Sequence, residues 1–302
     1  MATQQEIQKE LQALVRQVRA DSNRESEERI QALKAAEERG AARLEDARNQ
    51  FLKLGLSESE LEEDTESASE REQDIAAQTE KLSQAAPPNG LDLSRINLPT
   101  VTTESVQVVS PLFSSVLSSP MAQTDATAEA VASDYYYNNV EQNPWAWAQG
   151  AGSGLFGTGV GETTIEVDFW YYFVPSEYRF YGINPYTTYH GFYIVKSDDH
   201  WYDSQFARAV LSSHVNVYQY NWKGWDSIDV LNVGGDNINA NGPRFDDTRN
   251  HYYSALLAPG DGTWILNRVR LYVYARGGTA YSKLDFGTGA GNYIVAPYVY
   301  VS

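Results

Sequence analysis

Residues 163–174 read TTIEVDFWYYFV, and their side chains alternate between two kinds. A period of two, in a run rich in β-branched and aromatic residues, predicts a β-strand with one buried face. The opposite face is unusual, because two carboxylates, Glu166 and Asp168, are followed by the large rings of Trp170 and Tyr172. The fold is therefore expected to be organised around this strand.

A second stretch, WILNRVRLYVYAR at residues 264–276, has the complementary pattern. One of its faces is apolar, and the other presents Arg268 and Arg270 beside tyrosines. Opposite charges directly across a strand pair stabilise the pairing, so the arginines are expected to meet carboxylates, with Glu166 and Asp168 the first candidates. That contact is expected within one sheet or across a subunit boundary. The alternative is that the two strands lie far apart and each arginine finds a local partner.

The C-terminal part of the chain predicts an all-β fold, an antiparallel β-sandwich of the jelly-roll kind with about eight strands. Short β-prone runs are separated by turns containing Gly and Asn, and residues 276–279 (RGGT) predict a tight hairpin turn. The predicted strands are 163–174, 178–183, 188–196, 205–222, 228–233, 251–258, 263–276, 280–286 and 292–301.

The N-terminal third predicts helix, because residues 4–85 contain no Pro and are dense in Ala, Glu, Gln, Arg and Leu. Apolar residues recur at steps of three and four, which is coiled-coil spacing, except across the polar run DSNRESEE at 21–28. Gly55 suits a helix end, and a capping box predicts a new helix from Ser57. Such thin stripes favour an oligomerising stalk. The alternatives are an arm that packs on its own β domain and, for residues 58–74, disorder.

These patterns divide the chain into three parts. Residues 1–86 are predicted to be a helical stalk or oligomerisation segment, residues 87–134 a linker and extended arm, and residues 135–302 a β-sandwich head. Within the arm, 106–109 and 112–117 are predicted short strands, and 121–134 is compatible with a short helix.

Charge and composition narrow the classes of partner. The formal net charge is -17, and both the first 100 residues and the remainder are acidic. A field this negative repels phosphate backbones and anionic lipid surfaces, which argues against nucleic acid and membrane as partners. The chain has no cysteine, so neither disulfides nor thiolate metal sites are expected. No secretory signal or membrane-spanning run is predicted. Display on a particle or appendage is compatible with this, but the location is not predicted.

Aromatic clusters are the strongest functional signal. Flat rings stack on the apolar faces of sugars, while neighbouring polar groups bond the hydroxyls, so a glycan site is predicted. The same rings also serve cores and subunit interfaces, which is the competing interpretation. The candidate ligand-binding residues are Trp201, Tyr202, Asp203, Tyr220, Trp222, Trp225 and Asp226.

A calcium loop is a weaker candidate. Asn237, Asn239 and Asn241 precede Asp246 and Asp247 and supply oxygen ligands, but Thr248 stands where such a loop has a bidentate Glu. Asn and Gly also simply favour turns. No other metal and no other cofactor is expected.

Catalytic motifs are weak by comparison. The four histidines show no paired zinc spacing, and no Gly-x-Ser-x-Gly elbow supports a serine triad, although triad members need not be close in sequence. Carboxylates for glycoside hydrolysis are available, but each is more simply an exposed strand or turn acid. These acids are Glu166, Asp168, Asp203 and Asp229.

The function predicted from the sequence is a non-enzymatic, oligomeric recognition protein whose β-sandwich head binds a surface ligand, with glycan as the leading class. The architecture is analogous to stalked trimeric heads on viral fibres. The alternative is a structural subunit of a virion, appendage or other assembly, in which the aromatic surfaces contact neighbouring subunits. The expected partners are further copies of the chain, in a trimer for example, a glycan or surface receptor, and a larger assembly reached through the N-terminal helices. A carbohydrate-active enzyme is the third hypothesis.

Overall fold

A computed structural model gives the structure of the protein over most of its length. The chain folds into two helices and a set of antiparallel strands arranged in two sheets. The described residues are 3–55, 57, 65–83, 106–118, 122–123, 129–133, 139–150, 159–197, 205–278, 280–289 and 291–302.

The strands fall into two open sheets, which confirms a mostly antiparallel β fold; the jelly-roll connectivity stays a prediction. Among the described strands, sheet A contains nine, with the order β1-β16-β8-β15-β6-β4 and with β5, β12 and β13 paired to its members. Sheet B contains seven, with the order β10-β9-β14-β7-β2 and with β3 and β11 attached. The strands are β1 (Gln107–Val109), β2 (Phe113–Ser118), β3 (Ala122–Gln123), β4 (Glu129–Ser133), β5 (Glu141–Gln142), β6 (Trp145–Gln149), β7 (Val160–Phe173), β8 (Arg179–Ser197), β9 (Phe206–Gln219), β10 (Asn221–Trp222), β11 (Asp226–Gly235), β12 (Ile238–Asn250), β13 (Tyr253–Leu257), β14 (Thr263–Arg276), β15 (Tyr281–Asp285) and β16 (Tyr293–Val301).

The main core lies between the facing sides of the two sheets. Ile165, Val167 and Phe169 of β7 have no exposed surface there, and neither do Val269 and Leu271 of the adjacent β14. These are the apolar faces predicted from the alternation, so the period of two correctly identified the inward side of both strands.

The charged rows of β7 and β14 meet as predicted. The two strands are antiparallel neighbours, with Arg268 directly opposite Asp168 and Arg270 directly opposite Glu166. The contact lies within one sheet, which settles the choice left open by the sequence. Glu166, Asp168 and Arg268 are nevertheless buried, and Arg270 is half-buried, because a helix covers the outer face of sheet B.

That covering element is helix α1 (Gln4–Lys53). It begins with a capping box in which Thr3 and Glu6 bond each other's backbone, and it ends just before Gly55, whose positive φ of 98° suits a glycine. Leu14 and Val18 are buried in a cluster with residues of β7 and β14. The N-terminal half of the helix therefore packs on its own β domain, which was the alternative to a free stalk.

The polar interruption in the helix stripe matches the charged row beneath it. Where the apolar stripe ends, Ser22 donates to Glu166 over 2.5 Å and accepts from Arg268 Nη1 at 2.8 Å. Four residues later Ser26 is buried, and Arg29 pairs with Glu162. Polar helix residues thus face polar strand residues. The side of α1 that packs on sheet B therefore continues past the apolar stripe, with polar contacts in place of apolar ones.

Helix α2 (Thr65–Ser83) lies against the other sheet. Leu82 is buried, and Ile75 half-buried, in a cluster with Phe192 and Ile194 of β8 and Tyr281 of β15. These strand residues face away from the main core, so the order of layers is α1, sheet B, sheet A and α2. The predicted helix start at Ser57 and its capping box lie largely outside the described residues. Neither α1 nor α2, in the part that the structure covers, is long and apolar enough to cross a bilayer.

Several local predictions need correction. The Asn-rich segment from residue 238 forms strand β12, paired with β8, where a loop or turn was expected. The described residues of 121–134 form strands, not a helix. The predicted strands 178–183 and 188–196 form one strand, β8. β14, which ends at Arg276, belongs to sheet B and β15 belongs to sheet A, so the two strands are not the hairpin partners that were predicted.

The arm also belongs to the sheets. Strand β2 pairs with β7, and β4 pairs with β6, so sheet pairing begins well before residue 135. The Gly-rich residues 151–158 lie outside the described part of the chain.

Candidate functional site

A cavity opens between α1 and the outer face of sheet B. Its volume is about 330 Å³, at the small end of the range for ligand sites. Four elements form its walls: the α1 turn that carries the polar interruption, strands β9 and β14, and the hairpin that follows β9. The lining residues are Val18, Asp21, Ser22, Glu25, His214, Asn216, Trp222, Gly224, Trp225, Arg268 and Arg270.

The hairpin brings two of the predicted ligand-binding residues, Trp222 and Trp225, to this cavity. Their rings are nearly parallel, with an interplanar angle of 15° and a centroid separation of 6.3 Å, which describes an offset stack. Trp222 is half-buried, while Trp225 retains 49% of its surface. Trp222 also contacts the buried ring of Trp170 at 6.1 Å. The exposed ring of Trp225 is therefore stacked on Trp222, whose position is set by its contact with the buried Trp170.

Asn216 of β9 holds this hairpin in place. Its Oδ1 accepts from the backbone N–H of Val217 at 2.8 Å and of Gly224 at 3.1 Å. Gly224 has a φ of 113°, a conformation that favours glycine. Its carbonyl accepts from the Tyr253 hydroxyl at 3.0 Å. The loop that presents Trp225 is therefore anchored at both its N–H and its C=O.

The floor of the cavity is an ion network. Arg268 donates from Nε and Nη2 to the two oxygens of Asp168, at 2.7 and 2.9 Å, and its Nη1 lies 2.7 Å from Glu166 Oε2. Arg270 donates from Nε and Nη2 to Glu166 Oε1, at 2.9 and 2.6 Å. Paired, bidentate geometry of this kind is what allows charges to be buried.

The electrostatics of the network follow from burial and pairing together. Burial disfavours the charged carboxylate of Glu166, but the attraction of Arg268 and Arg270 outweighs it and lowers the pKa of that residue. Burial opposes the charge on Arg268 as well, yet Asp168 and Glu166 raise its pKa. Arg268 therefore stays charged and stays matched.

His214 contributes a neutral ring to the same wall. Its pKa is lowered to about 4, first by burial and then by the nearby charges of Arg270 and Arg268. Its Nε2 lies 2.8 Å from the Ser212 hydroxyl. The ring packs edge-on to Trp225 at a centroid distance of 6.4 Å. At neutral pH it adds hydrogen-bonding capacity and no charge.

Two further predicted ligand-binding residues, Tyr220 and Asp226, do not line this cavity. Tyr220 is 66% exposed and directs its hydroxyl to Asp261. Asp226 Oδ2 lies 3.1 Å from His251 Nε2, and 55% of the Asp226 side chain is exposed. Trp201, Tyr202 and Asp203 lie outside the described residues.

Among the lining residues that escaped the sequence analysis are Asp21, Glu25, His214 and Asn216. The two helix acids lie in the polar run at residues 21–28. In the sequence, a run of this composition predicts only a solvent-exposed helix face. The strand residues His214 and Asn216 share the parity of Tyr218, and that alternation was the signal available for placing them on the aromatic face.

The calcium candidates lie along an extended chain. Asn237 precedes β12, while Asn239 and Asn241 fall within it, opposite Lys196 and Ile194 of β8. The backbones of Asp246 and Asp247 follow in the same strand, beyond a register shift. Among the described residues, no group of three or more His, Cys, Asp or Glu side chains could hold a metal ion. Calcium binding stays a prediction.

Ser213, His251 and Asp226 form an arrangement reminiscent of a serine triad. His251 Nδ1 lies 3.4 Å from Ser213 Oγ, and its Nε2 lies 3.1 Å from Asp226. A nucleophile must reach its substrate, whereas here Ser213 is only 2% exposed and Asp226 is the exposed member. The burial order is opposite to that of a catalytic triad, so we assign this chain of contacts to packing between the sheets.

Three of the acids considered for glycoside hydrolysis, Glu166, Asp168 and Asp229, already have partners within the protein. Glu166 and Asp168 are both bound by arginines beneath α1. Asp229 is exposed and accepts from Asn232 at 2.8 Å. Asp203 lies outside the described residues. The cavity thus combines an aromatic stack, a neutral imidazole, an amide and matched charges, an inventory suited to binding.

Comparisons with known proteins add little. No protein-family model matches the chain, and no curated protein matches it. Among solved structures, it is similar to TmCBM61 in complex with β-1,4-galactotriose, with 10% identity, a TM-score of 0.21, and coverage of 60% of this chain and 86% of that one. A structure described as CBM4 gives 9% identity, a TM-score of 0.19, and coverage of 53% and 81%. The enzymatically active domain of tailspike protein 4 of bacteriophage CBA120 gives 10% identity, a TM-score of 0.17, and coverage of 54% and 19%. At these scores the likenesses carry no argument.

Proposed function

We propose that this protein is a non-enzymatic recognition protein that binds glycan in the cavity between α1 and sheet B. The observation that carries the proposal is the offset stack of Trp222 and Trp225, with Trp225 49% exposed at the mouth of a polar cavity. A half-exposed ring held by a rigid hairpin offers a face for stacking, and Asn216 and the helix acids are positioned beside it to bond hydroxyls.

A glycan array probed with the full chain tests this proposal. We expect binding to at least one glycan, and we expect Trp225→Ala to weaken it by about 1–2 kcal/mol, the range typical of truncating an aromatic anchor. Tyr178→Ala is the matched control, because Tyr178 is also an exposed aromatic residue, at 69%, but does not line the cavity. Equal losses in the two variants, or no binding by the wild type, would contradict the proposal.

A structural subunit is the second candidate, and an apolar patch on sheet A favours it. Phe180 and Leu256 are directly opposed on β8 and β13 and are 66% and 37% exposed. Tyr252 nearby is 60% exposed. Contiguous exposed apolar side chains are typical of protein contacts. Phe180→Ser, compared with wild type by light scattering, would lower the native mass if this patch joins subunits.

Self-association through α1 is part of the same proposal. Beyond Arg29, partly or fully exposed apolar residues continue along the helix, among them Leu33, Phe51 and Leu54, the last of which is 80% exposed. The proximal half of the helix already has a partner in sheet B, so the distal half is the segment we assign to contacts between copies.

A further inference from the structure

The polar groups of the cavity indicate which class of sugar it accepts. We infer that the cavity selects neutral, hydroxyl-bearing sugar residues over acidic ones. This inference rests on the proposed glycan function and adds a statement about charge, drawn from three features: an oriented amide donor, a set of cancelled charges on the floor, and an exposed acid on the helix wall, Glu25, whose only ion pair is long.

The oriented donor is Asn216. Because its Oδ1 accepts from two backbone N–H groups, the orientation of the amide is determined, and Nδ2 is the end left over. The residue is 2% exposed, and within the described part of the chain Nδ2 bonds to no other residue. Asn216 lines the cavity, so this amide N–H is available to an acceptor there. A sugar hydroxyl entering the cavity would supply that acceptor.

The arginines on the floor offer little to an anion. All three nitrogens of the Arg268 guanidinium are engaged through contacts to Asp168, Glu166 and Ser22, and Arg270 is held by Glu166. Two cations and two carboxylates cancel, so the floor carries no net charge. A ligand carboxylate would have to compete with Glu166 or Asp168 for a guanidinium, and separating those pairs would strand a buried charge.

The helix wall adds negative charge. Asp21 and Glu25 keep 46% and 60% of their side chains exposed, and Glu25 approaches Arg270 only at 3.5 Å. Asp21 is paired with Arg24, which leaves Glu25 as the acid with the weakest compensation. Carboxylates accept hydrogen bonds from hydroxyl groups but repel anions, so this wall favours a neutral sugar.

A cationic sugar is also at a disadvantage at the ring itself. The Arg268 guanidinium lies 5.5 Å from the centroid of Trp225, so a ligand ammonium group stacked there would meet a like charge. The ligand that meets these conditions is a neutral sugar ring. It has hydroxyl groups, one apolar face that stacks on Trp225 and at least one oxygen that accepts from Asn216.

Matched sugars that differ in the charge of a single substituent test the inference by calorimetry on the full chain. The probes are the methyl glycosides of glucose and glucuronic acid, of galactose and galacturonic acid, and of glucosamine as the cationic arm. We expect the better neutral sugar to bind at least tenfold more tightly than its acid and than glucosamine. Glu25→Gln should narrow the neutral-to-acid ratio at least threefold, because it removes the wall's charge and keeps its shape.

Glu28→Gln is the control, since Glu28 is exposed on the same helix but does not line the cavity. It should leave the ratio unchanged. Asn216→Asp keeps the Oδ1 acceptor but replaces the donor, and it should weaken the neutral sugar at least tenfold. Acid or amino sugars that bind as tightly as the neutral ones, or tighter, would overturn the inference and leave glycan binding in place. Failure of every sugar here and on the glycan array would remove the proposed function and the inference with it.

Discussion

Arg268 is the residue on which the outer face of sheet B depends most directly. It is 4% exposed, yet its guanidinium reaches Asp168, Glu166 and the helix residue Ser22. A buried cation is tolerated only while its partners are present, so the strand pair and the helix both contribute to keeping this charge compensated.

Removing one side of the pair should therefore be costly. We expect Asp168→Asn to lower the free energy of unfolding by about 3–5 kcal/mol, because Arg268 and Arg270 must then share the single carboxylate of Glu166, which leaves a net positive charge beneath the helix. Adding Arg268→Met should recover part of that loss. Urea denaturation of the single and double variants measures both values.

Arg24→Gln provides the control for exposed pairs. Arg24 and Asp21 are 66% and 46% exposed, so its loss should cost no more than about 1 kcal/mol. Strictly additive losses in the Asp168 and Arg268 cycle would show that the two side chains do not act as a pair.

His214 should make stability depend on pH in a defined window. The pKa of His214 is about 4 in the folded protein, below the ordinary value of 6.5. Between these two values the unfolded chain binds a proton at His214 and the folded chain does not. The contribution of the neutral ring to the free energy of unfolding is fully present above about pH 6.5. It is lost as the pH falls towards 4, and the total loss is at most about 3 kcal/mol.

The variant His214→Gln isolates this contribution because glutamine does not titrate. The difference in unfolding free energy between wild type and variant, measured by urea denaturation at steps from pH 7.5 to 4, should change in favour of the variant as the pH falls. A difference that stays constant across the window would mean that His214 can be protonated in place.

Among the elements, α1 has two kinds of neighbour along its length. Its first half buries Leu14 and Val18 against aromatic strand residues, and Trp264 Nε1 donates to Glu10 at 2.9 Å. Farther along, polar helix residues meet the ion network. The helix is therefore an integral wall of both the fold and the cavity.

Leu14→Ala tests how firmly this wall is held. Leu14 is 4% exposed, and we expect its truncation to cost about 2–5 kcal/mol and to shift tryptophan emission to longer wavelength as Trp170 and Trp264 gain access to water. Gln17→Ala, at an exposed position of the same helix, should change stability by less than about 0.5 kcal/mol. If both substitutions behave alike, the docked position of α1 is not what stabilises sheet B.

The sequence predicted strands better than it predicted partners. Alternation in 163–174 and 264–276 reveals which side chains share a face, and charge complementarity then indicates the pairing of Asp168 and Arg268. A helical stripe shows only that one side needs cover. Nothing in Leu14 or Val18 specifies a sheet of the same chain rather than a second helix, since apolar burial has no directional preference.

The errors have the same origin. Strand β12 was missed because its Asn and Gly residues have high turn propensity, while its pairing with β8 depends on residues far away in sequence. The cavity was only half predicted because Trp222 and Trp225 signal themselves locally, whereas Asp21 and Glu25 join them only once α1 docks.

For the whole molecule, the distal half of α1 is the segment on which self-association is expected to depend. Phe51→Asp places a charge in the remaining apolar stripe, and we expect it to lower the native mass measured by light scattering while the β domain stays folded. Asn49→Asp adds the same charge at an exposed position and should leave the mass unchanged. An unchanged mass in both variants would show that copies do not meet through this segment.

The covering of sheet B by α1 also has a consequence for biosynthesis. Ser22 and Arg268, which bond each other, are 246 positions apart in the chain. At a ribosomal rate of about 5–20 residues per second, the helix is made about 10–50 s before its docking surface is complete. During that interval the thin apolar stripe of α1 has no sheet of the same chain to pack against. The polar composition of the rest of the helix then disfavours premature association with other chains. Docking of α1, and with it closure of the cavity wall, is therefore expected to be a late event that follows the synthesis of β14.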